Sequence, residues 1–208
     1  MNTTFKTLSI TAALAASLSL AGCATGTSSG NSMPMDHGNS SPMSSMMPSA
    51  GQESGADHNQ ADVMFAQMMI PHHAQAVEMS GIILAKPDTP AEVTALATKI
   101  KDAQAPEIQQ MTGWLTGWNM PTMMGDDSGH GMSGMVDDAG MGKLKSATGT
   151  EAARLFLEQM IGHHEGAIEM AQQEISAGKA PDAVKLAHDI VDSQQAEIAQ
   201  MKQMLTAL

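Results

Sequence analysis

Cys23 is the one cysteine among 208 residues, so the chain has no disulfide, and beyond that position it has no thiolate for catalysis or metal binding. Tyrosine is absent, and three Phe with two Trp are too few to supply aromatic cofactor cages or stacking platforms for nucleic-acid bases. Basic residues are scarce too. Ten Lys and Arg stand against 22 Asp and Glu, a formal charge of −12 that disfavours nucleic acid and adsorption to an anionic bilayer. Strand-like alternation is missing, and the apolar stretch from Leu8 to Leu20 is too short to span a membrane comfortably.

What is abundant is methionine, with 21 residues, accompanied by eight histidines. With no spare thiolate, soft-metal chemistry falls to the thioethers. The N-terminus carries Lys6, then the apolar stretch, then Leu20-Ala21-Gly22-Cys23. This reads as a secretory signal over residues 1–22. Its ending resembles the bacterial lipobox, which implies cleavage before Cys23, acylation of its thiol, and a lipid-anchored protein of the bacterial cell envelope facing the periplasm or the exterior.

The strongest signal in the chain is an internal repeat. Phe65-Ala-Gln-Met-Met69-Ile-Pro71-His72-His73-Ala-Gln-Ala-Val-Glu-Met79 returns as Phe156-Leu-Glu-Gln-Met160-Ile-Gly162-His163-His164-Glu-Gly-Ala-Ile-Glu-Met170. Downstream, Gln104-x-x-Glu107-Ile-x-x-Met111 returns as Gln194-x-x-Glu197-Ile-x-x-Met201, one residue out of the first register. Each unit reads as two helices, and a short loop absorbs the missing residue.

Residues 23–57 are rich in Met, Ser, Gly and Pro and read as a flexible tether, followed by a bundle over 58–207. Within the bundle, hairpin 1 covers 58–118 and hairpin 2 covers 151–207. The Met- and Gly-rich linker between them, 119–150, is too long for an ordinary helix connection, so it reads as disordered or functional.

In the first helix of each unit the histidines fall on or beside the apolar stripe. In the second helix, Glu107 or Glu197 stands in the middle of that stripe, where a carboxylate is costly unless paired. Four helices of roughly 25 residues, each about 38 Å long, suffice for one core. The expected fold is therefore all-α, an antiparallel four-helix bundle made of two duplicated αα-hairpins with pseudo-twofold symmetry. Pro71 and Gly162, at the same place in each copy, are poor helix-interior residues and predict a kink before the His pair.

Neutral imidazole and thioether donors together suit copper, Cu(I) especially. Adjacent histidines lie about 100° apart on a helix, so one pair rarely chelates an ion with both rings. His72, His73, His163 and His164 are candidate ligands. Met69 and Met160 lie three residues before a histidine, on a shared face; Met79 and Met170 lie two turns beyond. Glu107, Glu197, Met111 and Met201 complete the set, the carboxylates either as ligands or as partners that hold an imidazole tautomer. Methionine at helical spacing also fills cores, and a buried His facing a buried Glu also sets helix register. Outside the helices, Met43, Met46, Met120, Met123, Met124, Met132 and Met135, with His37 and His130 nearby, repeat a Met-x-x-Met spacing that can wrap a cuprous or silver ion.

The doubled His-His-x-x-Ala-Val/Ile-Glu-Met and Gln-x-x-Glu-Ile-x-x-Met motifs resemble a bacterial family of exported proteins known as a domain of unknown function. The resemblance covers about residues 58–207. It implies a ferritin-like four-helix bundle and, because a cyanobacterial periplasmic copper-binding protein belongs to the family, copper binding and copper tolerance. Two other classes compete with that expectation: a ferritin-like redox enzyme, and a structural or interaction bundle without metal. The di-iron sites of ferritin-like enzymes use Glu-x-x-His, a pattern this sequence does not contain.

Overall fold

The structure, a computed structural model, describes residues 57–123 and 132–208. Cys23, His37, Met43, Met46, Met124 and His130 lie outside the described residues, as do the signal segment and nearly all of the tether. The described residues are helical, without strands: α1 Gln60–Leu84, α2 Ala91–Gly117, α3 Asp138–Ser146, α4 Gly149–Ala177 and α5 Pro181–Ala207. Four long helices form the bundle, and α3 is a short addition within the connection.

Local chemistry sets several of these boundaries. The Asn59 side chain accepts the backbone N–H groups of Ala61 (2.7 Å) and Asp62 (3.2 Å), while Asp62 reaches back to the Asn59 N–H, a reciprocal cap on α1. Pro181 begins α5, where a missing N–H costs nothing. Helix α1 runs through Pro71 without a break between Gln60 and Leu84, and α4 likewise through Gly162.

Helices α1 and α4 pack antiparallel: Asn59, before the start of α1, donates to the carbonyl of Ala177 at the end of α4 (2.8 Å). Since α2 and α4 then run in the same direction, the chain between them must travel the whole length of the bundle, about 40 Å. That requirement accounts for the length of the connection, of which residues 124–131 lie outside the described residues. The described parts of the crossover contact α1. Gln67 donates to Pro121 O (2.8 Å); Gln75 both donates to Val136 O and accepts from Val136 N (2.8 Å each); Lys86 Nζ donates to the carbonyls of Lys145 (2.9 Å) and Ala147 (2.6 Å). On the α4 side Gln159 donates to Gly140 O (3.0 Å). Helix α3 adds Met141 and the fully buried Leu144 to the core. Burying one leucine is worth about 1.5–3 kcal/mol, which adds to the Met141 contact and the Gln159 hydrogen bond in seating this nine-residue helix.

The core divides into two apolar clusters. One contains Met79, Met160 and Met201 with Ile83, Leu96, Ile100 and Phe156; the other contains Met170, Met69 and Met111 with Phe65, Leu186 and Ile190. The internal repeat exchanges them: each cluster joins the Met after the His pair of one unit to the Met before the His pair, and the second-helix Met, of the other.

Candidate metal centre

All four motif histidines are completely buried, at 0% exposure. Adjacent imidazoles on one helix turn to different neighbours, as the 100° step demands. His72 and His163, one from each repeat, meet across the α1–α4 contact with ring centroids 3.7 Å apart and planes inclined by 35°. His73 turns toward α2, where its Nε2 lies 2.7 Å from Glu107 Oε2; His164 turns toward α5, 2.8 Å from Glu197 Oε2.

A carboxylate can only accept, so His73 and His164 donate from Nε2 and carry their lone pair on Nδ1. His72 is fixed the same way by the crossover, its Nε2–H donating to the carbonyl of Ser133 (3.2 Å). The Nδ1 atoms of His72, His73 and His164, and both ring nitrogens of His163, are buried without a hydrogen-bond partner among the described residues. Leaving such a group unpaired costs about 1–3 kcal/mol, so five together mark this layer as one adapted to something other than apolar packing.

Protonation does not compete for the lone pairs of His72, His163 and His164 at neutral pH. Burial, followed by the neighbouring His73, pushes His72 down to about 3; burial, followed by His72, pushes His163 down to about 2. Burial also keeps His164 toward its neutral form, outweighing the opposing pull of Glu197. For Glu197 burial acts upward, but the His164 N–H and the Lys99 ammonium at 3.2 Å hold it below the usual carboxylate range. The pair is thus a neutral imidazole donating to a charged carboxylate. Glu107 has no such lysine and is more exposed, 22% against 5% for the Glu197 side chain.

The candidate set therefore separates. The four histidines and two glutamates form one buried polar layer. Met69, Met79, Met111, Met160, Met170 and Met201 are packed within the two apolar clusters. Met132 and Met135 are half-buried in the ordered crossover; Met120 is half-buried near the Trp residues, and Met123 is exposed. Among the described residues no three His, Cys, Asp or Glu side chains converge as a ready-made chelate. The donors nevertheless fit a soft ion: buried imidazole nitrogens without hydrogen-bond partners, two of the rings oriented by carboxylates, in a layer bordered by thioether-bearing clusters.

Sequence reasoning missed Ser133, which acts through its backbone carbonyl and whose hydroxyl donates to Glu169 (2.7 Å), and Lys99, whose alignment with Glu197 joins α2 to α5. It also missed a buried carboxyl pair, Asp62 and Glu174, at the end of the bundle. The only available signal for that pair was a glutamate on the apolar face of α4.

A profile of the family described as "Domain of unknown function (DUF305)" matches residues 62–205. No curated protein matches the chain significantly. Among solved structures, a DUF305 protein from Streptomyces coelicolor is similar at 38% identity and a TM-score of 0.68, covering 74% of this chain and 95% of its own. A DUF305 fragment from Deinococcus radiodurans is similar at 32% identity and a TM-score of 0.64, covering 72% and 98%. CopM, solved in Cu(I)-bound, Cu(II)-bound and Ag-bound forms, is similar at 34–38% identity and TM-scores of 0.57–0.60, covering 70% of this chain and 95–96% of CopM.

Proposed function

The chain belongs to the DUF305 family, and from that premise we propose that it is an exported cell-envelope protein that binds copper, and silver as a related soft ion, for buffering, tolerance or delivery. The observation that carries this reading is the layer of buried imidazoles with five unpartnered nitrogens. CopM, whose structures hold Cu(I), Cu(II) and Ag, supports it from outside the chain. His72, His73, His163 and His164 would supply nitrogen donors, and Glu107 and Glu197 would hold two of the rings in the tautomer that leaves Nδ1 free. Thioethers of the adjoining clusters would add soft donors for the cuprous state. A lipid anchor at Cys23 would keep this capacity at the membrane surface.

A second reading has one observation in its favour. The His73–Glu107 and His164–Glu197 bonds, at 2.7 and 2.8 Å, satisfy one nitrogen of each ring and would by themselves fix helix register in a bundle that binds no metal. Replacing all four histidines with Asn or Gln distinguishes the two. Under the metal reading, calorimetric titration shows Cu(I) and Cu(II) affinity falling at least tenfold while the helical circular dichroism persists. Lost helicity with copper binding intact would establish the register role instead. Iron-dependent oxygen consumption by the purified protein would point to a redox enzyme.

A further inference from the structure

About two helical turns from the histidine layer, the start of α1 and the end of α2 carry a second set of soft donors. The exposed large hydrophobic side chains among the described residues are two methionines, Met64 at 38% and Met123 at 73%, and both belong to this end of the bundle. Met64 lies in the second turn of α1. Met123 follows the turn after α2, and that turn is fastened to α1 by Gln67 donating to Pro121 O (2.8 Å), three residues along the same face from Met64. Met120 and Met68 are half-buried against the same cluster as Trp114 and Trp118. His58, just before α1, stacks flat on Trp118, with centroids 4.5 Å apart and planes inclined by 9°. Trp118 is stacked in turn with Trp114 at 6.1 Å.

Packing does not account for this arrangement. A methionine at 73% exposure contributes little to the core, and exposed thioethers gain nothing from water. Exposed and half-buried thioethers at the same end of the bundle as an imidazole held on an indole face are the donor types a monovalent soft cation takes. Such donors need no deprotonation and no buried site, so an ion can be taken directly from solvent.

We infer that His58, Met64, Met120 and Met123 form a surface site for Cu(I) or Ag(I), separate from the histidine layer and accessible where that layer is sealed. The inference rests on the soft-metal reading of the protein but uses different residues, so each can fail without the other. It gives the molecule an external capture point at the end of the bundle where the N-terminal tether joins.

Trp114 and Trp118, the only tryptophans in the chain, both belong to this patch, and Trp114 stands about 10 Å along α2 from Glu107. Ag(I), which absorbs no tryptophan emission, quenches an indole only at short range, and variants of the two sites separate this patch from the histidine layer. The experiment titrates the full chain with Ag(I) while following tryptophan fluorescence. Saturable quenching is expected, weakened at least tenfold in Met64→Leu/Met123→Leu, whose exposed positions leave the fold intact, and in His58→Gln. It is expected to persist in His72→Asn/His163→Asn. Unchanged quenching in the methionine variant, or quenching lost only with the central histidines, overturns the site. So does quenching removed by Met124→Leu/His130→Gln alone. If the methionine variant loses quenching while the four-histidine variant keeps full copper affinity, the surface site stands and the histidine centre falls.

Discussion

Gly134 and Gly166 touch backbone to backbone: a Cβ on Gly134 would lie 2.6 Å from Gly162 O, and one on Gly166 would collide with the carbonyl of Ser133 and lie 2.8 Å from Gly134 Cα. Gly134 also has φ +79°, a conformation other residues rarely adopt. This close approach seats the crossover on α4 and delivers the Ser133 carbonyl to His72 Nε2. A side chain at either glycine would therefore act on the histidine layer through the crossover.

Gly166→Ala should destabilise the protein by about 1–3 kcal/mol, as overpacking does, and should release the crossover around residues 133–136. Gly113→Ala provides the control, because a methyl there meets nothing within 4 Å inside α2 and should stabilise by up to about 1 kcal/mol. Chemical denaturation measures both effects, and amide exchange at Val136 measures the local release. Equal protection of Val136 in the Gly166 variant and the parent would show that the crossover does not depend on this contact.

A pH dependence should arise at one end of the same helix pair, from Asp62 and Glu174. Asp62 accepts the backbone N–H groups of Lys179 and Ala180 at 2.9 Å each, tying the start of α1 to the α4–α5 turn. Burial, then the neighbouring Asp62 carboxyl, push Glu174 up to about 8 from an ordinary 4.5. Burial also acts upward on Asp62, but the neighbouring protonated Glu174 and the backbone N–H groups hold it below the usual value. The native state thus keeps the Glu174 proton through neutrality while the unfolded chain releases it above about 4.5. Its contribution is fully present below that pH and is lost as pH rises through about 8. Urea midpoints should decline from pH 5 to pH 9, and Glu174→Gln, whose amide donates to Asp62 at every pH, should flatten the decline. A decline of unchanged slope in that variant would assign it to other groups.

The legible part of this molecule is the part that recurs. Duplication wrote the helical period twice, so the four bundle helices, the buried stripes and the inward placement of His72 and His163 could be read from residue spacing. The two apolar clusters follow from the same repeat once the hairpins pack antiparallel. The crossover could not be read in this way. Its contacts run through the backbone carbonyls of Pro121, Ser133 and Val136, which carry no residue signature, and its glycines resemble those of a flexible linker. The spacing placed a carboxylate opposite a histidine pair, but which ring would turn to it depends on the packing of α1 against α2 and of α4 against α5.

The N-terminal segment leads to an anchoring prediction. If Leu20-Ala21-Gly22-Cys23 is a lipobox, acyl chains on Cys23 hold the protein at the membrane, since no described helix is long and apolar enough to cross it. Cys23→Ala should move the protein from the membrane fraction to the soluble envelope fraction on cell fractionation. Membrane retention of a fully processed Cys23→Ala protein would count against acylation.

The carboxylates provide the most direct chemical test of the histidine layer. Glu197 holds His164 by an N–H···O bond of 2.8 Å and is itself held charged by Lys99 at 3.2 Å, whereas Glu107 holds His73 without a lysine. If these carboxylates set the basicity of Nδ1 in bound copper's ligands, Glu197→Gln should weaken Cu(II) binding by about 10- to 100-fold, the usual cost of losing such a partner. Glu107→Gln, removing the more exposed and less supported charge, should cost less. Lys99→Met should fall between the parent and Glu197→Gln, because it leaves the carboxylate in place but withdraws its counterion. Calorimetric Kd values for the three variants give the order directly. Equal affinities across the series would mean that the Glu–His pairs set helix register and take no part in holding the ion.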